Sequence, residues 1–235
     1  MAITQRQQKT VEGVPAAACW NCKASVPGGA HFCGTCAKIQ PVMPGADYFS
    51  FFDLPRKLTI DPGMLEGKFH MLSWKLHPDN FVRASEFERN LSLQRSSELN
   101  DAFRTLREPI GRVEYLLDFL GVRKEGTTKQ QAPPELLEEV FELNESLDEL
   151  RDARAGGGDT AALRTKLEAA QKNFSGLLAE VDGDLAATGR DWDAALDGGA
   201  DDATRSALLT KMGDLLNRRA YIRNLVDGVN AEMAA

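Results

Sequence analysis

Residues 61–79 read DPGMLEGKFHMLSWKLHPD. Asp61 followed by Pro62 is a helix start: the aspartate side chain can accept from first-turn amides, and proline at the first position gives up an amide without a partner. Leu65, Phe69, Leu72 and Leu76 then recur at intervals of four, three and four, which places them on one stripe of a helix. Pro78 stops that helix, because the residue before a proline is pushed out of the helical region. His77-Pro78-Asp79 therefore lies in a loop, and taken alone it reads as an ordinary turn.

Outward from this stretch the pattern stays helical. Asp47 caps a short helix over Tyr48–Leu54, which Pro55 stops. Downstream, a third helix carries Phe87, Leu91, Leu99, Ala102, Phe103 and Leu106 on one face. Pro109 opens a fourth over Ile110–Leu120, closed by Gly121. The expected core is two longer helices packed antiparallel across the His77-Pro78-Asp79 loop.

The stretch Gly126–Pro134 reads as a linker. Beyond it, Leu136, Val140, Leu143, Leu147 and Leu150 form one stripe. Leu163, Leu167, Ala170, Phe174, Leu177, Val181 and Leu185 form a second, and Leu208, Met212, Leu215, Ile222, Val226 and Val229 a third. Glycines at 156–158 and 198–199 separate them, so the simplest architecture is a three-helix bundle. Leu137, Phe141, Tyr221 and Leu225 fall off their stripes; they belong to a wide core, to packing on the preceding domain, or to a partner-binding patch. No strand-like alternation appears, and the fold class is all-α.

The 235 residues carry a formal net charge of −7, which disfavours broad nucleic-acid or anionic-membrane binding. No apolar run approaches a membrane span or a signal-peptide core. The first ten residues hold only Arg6 and Lys9 as cations, so a cytoplasmic location is expected, with the mitochondrial matrix as the alternative. No nucleophile–base pair, phosphate loop or catalytic carboxylate pair is evident, and the chain is not read as an enzyme.

All four cysteines lie in the first 36 residues: Cys19-x-x-Cys22 and Cys33-x-x-Cys36, with ten residues between the pairs. Each pair lets two thiolates face one ion, which suits a tetrahedral S₄ site. Zinc is the expected occupant and iron meets the same donor geometry. Four sulfurs close the shell, so the site is structural and His31 a bystander. Gly34 is expected to permit the second turn, and metal loss to leave the helical domains folded. A zinc-ribbon nucleic-acid binder is disfavoured, with only Lys23 and Lys38 near the knuckles.

Tyr48-Phe49, the second-helix pattern, His77-Pro78-Asp79 and Asn100-Asp101-Ala102-Phe103-Arg104-Thr105-Leu106 resemble the J-domain family in order and spacing. The runs Arg112-Val113-Glu114-Tyr115-Leu116-Leu117 and Leu136-Leu137-Glu138-Glu139-Val140-Phe141-Glu142-Leu143-Asn144-Glu145 resemble the HscB type, over about residues 19–232. That resemblance implies a co-chaperone binding an iron–sulfur cluster scaffold (IscU-like), delivering it to a DnaK/HscA-class chaperone and stimulating that chaperone's ATPase. Asp79 would be the switch contact, with His77 and Pro78 shaping the loop and Lys68 and Lys75 steering the encounter. Asn80 departs from the lysine many J-domains carry there. Leu137, Phe141 and Tyr221 would contact the scaffold, with Glu142 and Glu145 nearby. The alternative is a J-protein whose bundle holds another client. The expected domains are a tetracysteine module with a flexible N-terminus over 1–46, a J-domain over 47–121, a linker over 122–133, and a scaffold-binding bundle over 134–235.

Overall fold

Asp61 accepts from the Met64 amide at 2.6 Å and starts α2, Pro62–Leu76, as the Asp-Pro signal requires. Asp47 and Ser50 form a reciprocal capping box around α1, Tyr48–Phe51. That helix is shorter than the sequence suggests, because Asp53 adopts a left-handed φ of 50° ahead of Pro55. Ser85 and Glu88 make a second capping box for α3, Glu86–Arg107. Pro109 opens α4, Pro109–Leu120, and Gly121 closes it at φ 73°, where a side chain would be strained.

The computed structural model describes residues 14–122 and 136–234. The expected flexible N-terminus and nearly all of the linker lie outside the described residues. Three long helices complete the order: α5, Leu137–Ala155; α6, Ala161–Asp197; and α7, Asp202–Ala234. Two antiparallel two-residue strands, β1 (Ala17–Ala18) and β2 (Ser25–Val26), sit beside the first cysteine pair. Strands that short leave no alternation to read. Among the described residues no helix is long and apolar enough to cross a membrane.

The chain divides into two compact units, and residues 192–200 count with the first. In that first unit Leu65, Leu72 and Leu76 of α2 and Leu91, Leu99, Ala102 and Leu106 of α3 are buried. Phe69 stacks on Phe103 at 4.2 Å between ring centroids. Phe87 departs from the expected stripe: it is 47% exposed and packs on Trp20 of the first cysteine pair. Tyr115 of α4 stacks on Tyr48 at 4.3 Å and accepts the Tyr48 amide at 2.8 Å. A buried Arg56–Asp47 ion pair lies at 2.5 Å. Trp192, fully buried, donates to the Arg56 carbonyl at 2.9 Å, and the Asp193 carboxylate accepts from the Leu58 and Thr59 amides.

The second unit is built on Leu136, Leu143, Leu147, Leu150, Leu167, Phe174, Val181, Ile222, Val226 and Val229. Arg219 pairs with Asp182 at 2.5 Å, and Arg151 donates to Glu232 at 2.8 Å. In α7 the buried leucines are Leu209 and Leu216, and Leu208 and Leu215 are half-buried. At 100° per residue, the buried face turns by roughly 100° between 209–216 and 222–229. A single stripe therefore does not describe this helix.

Candidate functional site

The carbonyl of Leu76, the last residue of α2, accepts from Ser92 Oγ at 2.7 Å and Ser96 Oγ at 3.0 Å, both from α3. This fixes the end of α2 before the chain turns. Pro78–Phe81 then forms one 3₁₀ turn, and Asn80 donates its side-chain amide to the Trp74 carbonyl at 2.6 Å. His77 Nδ1 accepts the Asp79 amide at 3.3 Å and stands 3.5 Å from the Asp79 carboxylate. The Asp79 side chain is 86% exposed. The turn is thus held from within while its carboxylate faces water. A groove of about 410 Å³ beside it is lined by Pro78, Asp79, Val82, Arg89 and Leu93.

Of the two expected lysines, Lys75 is exposed on the last turn of α2. Lys68 is half-buried and donates to the Phe52 and Asp53 carbonyls at 2.8 and 3.2 Å, pinning the loop after α1.

The four cysteine sulfurs lie within 4.8 Å of one another. Cys19–Cys36 and Cys22–Cys33 sulfur separations are both 3.7 Å. A tetrahedron with metal–sulfur bonds of about 2.3 Å has edges of about 3.75 Å, so the cage fits a four-coordinate ion. Its proton affinities also favour a cation. Burial opposes ionisation of Cys19, yet backbone amides of Cys22 and Asn21 and thiols of Cys36 and Cys33 bring it down to about 6. Cys22 is pushed up to about 12: the Ala24 amide works against this, but burial and the three neighbouring sulfurs outweigh it. Four thiolates do not coexist there without a positive charge among them.

The residue after each pair takes the left-handed conformation, Lys23 at φ 64° and Ala37 at φ 57°. Their amides return to Cys19 and Cys33 carbonyls at 3.1 and 2.8 Å. Gly34 has no such φ, and a Cβ there would meet nothing within 4 Å, so the tight turn does not depend on it. Buried Gln40 lies with Nε2 3.4 Å from Cys19 Sγ.

His31 is not in the cage. Its Nε2 bonds the Phe51 carbonyl at 2.8 Å, its ring packs edge-on to Phe51, and Arg95 reaches Nδ1. Burial, then the Arg95 charge, lowers His31 to about 4. The ring is neutral at neutral pH, so Nε2–H donates to the carbonyl and Nδ1 accepts from the guanidinium.

In the second unit Leu137 is 55% and Phe141 70% exposed, one turn apart on α5. Glu142 and Glu145 are exposed on the same helix, and Tyr221 on α7 is half-buried. Sequence reasoning missed Ser92, Ser96, Gln40 and Arg95. The two serines did leave a signal: small polar residues four apart beside the leucine stripe of α3.

A helical hairpin turning through His77-Pro78-Asp79, followed by a three-helix bundle, is the all-α architecture that the resemblance to J-domain co-chaperones implies. No protein-family model matches the chain. It is 36% identical to the iron-sulfur cluster co-chaperone protein HscB homolog of Arabidopsis thaliana over 160 residues, 67% of this chain and 62% of that one. It is 34% identical to the co-chaperone protein HscB homolog of Vibrio cholerae over 151 residues, 64% of this chain and 85% of that one. The crystal structure of human co-chaperone protein HscB aligns with a TM-score of 0.53 at 27% identity, covering 88% of this chain and 96% of that one. The chain belongs to the HscB family of co-chaperones.

Proposed function

We propose that this chain is an iron–sulfur cluster co-chaperone that binds a cluster scaffold protein of the IscU type and delivers it to a DnaK/HscA-class chaperone. It stimulates that chaperone's ATPase and so promotes cluster transfer, without catalysing a reaction itself. The observation that carries this reading is the family membership together with a braced turn exposing Asp79. In this reading residues 47–121 act as the J-domain and 134–235 as the scaffold-binding bundle. Asp79 meets a cationic group on the chaperone, His77 and Pro78 fix its approach, and Lys75 and Lys68 supply attraction to an acidic face. Leu137, Phe141 and Tyr221 bind the scaffold, flanked by Glu142 and Glu145. Large apolar side chains left in water on one helix turn are what a partner would cover.

Cys19, Cys22, Cys33 and Cys36 hold zinc, which supplies a cross-link between the two knuckles and leaves no coordination site for chemistry. The cytoplasm, a reducing compartment, suits these thiols.

Two variants separate the roles. Asp79→Asn is expected to abolish ATPase stimulation and keep scaffold affinity; Leu137→Ala with Phe141→Ala is expected to do the reverse. A single variant that removed both activities while staying folded would contradict the division.

A further inference from the structure

Three side chains of the tetracysteine module reach α3, the helix that follows the turn. Trp20, inside the first knuckle, packs edge-on to Phe87 of α3 at 4.8 Å between centroids. Lys38, two residues past the second knuckle, bonds Glu88 of α3 at 2.9 Å. His31, two residues before that knuckle, joins Arg95 of α3 to the Phe51 carbonyl. The backbones also approach closely: a Cβ on Gly29 would lie 2.9 Å from the Ser50 carbonyl oxygen. Each anchor is within two residues of a cysteine, so its position depends on the knuckles keeping their shape.

The receiving residues matter for the turn. Glu88 is the reciprocal member of the α3 capping box, accepting from the Ser85 amide at 3.4 Å and from Ser85 Oγ at 2.9 Å while it pairs with Lys38. On the same helix Ser92 and Ser96 hold the Leu76 carbonyl, next to His77. Contacts from the module thus enter α3 at 87, 88 and 95, and α3 passes them to the turn at 92 and 96. Two-residue strands and a small apolar cluster around Val26 and Met43 hold little by themselves in water, so four metal–sulfur bonds would be the module's principal cross-link.

We propose that the metal-loaded tetracysteine module is a brace for α3 that sets the geometry of the His77-Pro78-Asp79 turn, so that metal content tunes co-chaperone output. The effect on output rests on the function proposed above; the brace itself does not. Trp20, His31 and Lys38 are then positioning residues, acting on the turn through α3.

The test is amide hydrogen exchange of the full chain, zinc-loaded and after removal of zinc with a chelator. Exchange over residues 76–96 is expected to rise about tenfold on metal removal, with residues 205–230 unchanged. Two zinc-loaded variants guard against simple unfolding of the module. Lys38→Ala and Phe87→Ala are each expected to retain one zinc per chain and raise exchange across 76–82, and Lys38→Arg to restore it. The concentration for half-maximal chaperone stimulation should rise several-fold in Lys38→Ala with the maximal rate unchanged. Lys38→Ala should add nothing once zinc is removed, since both changes act on one path. Exchange at 76–96 indifferent to zinc, or Lys38→Ala and zinc removal acting additively, would overturn the brace. Absence of any stimulation by the zinc-loaded wild type would instead remove the function reading and leave the exchange result to decide the brace.

Discussion

At the His77-Pro78-Asp79 turn, the carboxylate proposed to act makes no contribution that the fold needs. Asp79 is almost wholly in water, and the flanking imidazole stands 3.5 Å from its carboxylate. Asp79→Asn should therefore leave denaturant stability within about 0.5 kcal/mol of wild type while stimulation is lost; a large drop in the unfolding midpoint would show a structural role instead. Glu88 is the opposite case. Its hydrogen bond to Lys38, with those from Ser85, holds its carboxyl below the ordinary glutamate range against the pull of burial. A group lowered on folding gives stability above its unfolded value, near pH 4.3, that is lost as pH falls through its folded value. Glu88→Gln should accordingly be less stable than wild type at neutral pH, with the gap closing in acid. A gap that stayed constant with pH would assign the loss to packing.

Helix α3 serves two neighbours. One face gives Leu91, Leu99 and Leu106 to the hairpin core, and other positions receive the tetracysteine module and the end of α2. Ser92→Ala leaves Ser96 as the remaining side-chain donor to the Leu76 carbonyl, so a cost of about 1–2 kcal/mol is expected by urea unfolding; an unchanged midpoint would mean that Ser96 suffices. The ends of α2 and α4 were legible because Asp-Pro and Pro/Gly signals are local, whereas the Ser85-x-x-Glu88 box that starts α3 went unread. Phe87 was misread as core because periodicity reports which face is apolar, not what covers it. The module's strands and the polar links of His31, Arg95 and Gln40 were not legible: they join residues that only the folded chain brings together. The cysteine spacing was legible, since ligand geometry constrains the sequence itself. The seating of the module on α1 and α3 was not legible either, since the cysteine spacing says nothing about what the module packs on.

For the whole molecule, two compact units divide the work proposed for it. The bundle's stripes in α5 and α6 follow the leucines, whereas the turning face of α7 obscured which of Leu208, Leu209, Leu215 and Leu216 are buried. Leu137 and Phe141 were visible as residues off the stripe, and the structure leaves more than half of each in solvent. Replacing both with alanine should change thermal stability little, because neither fills the core; a cost of about 2 kcal/mol or more per site would mark them as packing residues. In the proposed function the two units act together on one chaperone. Steady-state ATPase of a DnaK/HscA-class chaperone, measured with this chain, with a cluster scaffold and with both, tests it most directly. Stimulation by both together should exceed the sum of the two alone and be lost with Asp79→Asn. Stimulation by this chain that is indifferent to the scaffold would contradict it and point to a different client for the bundle.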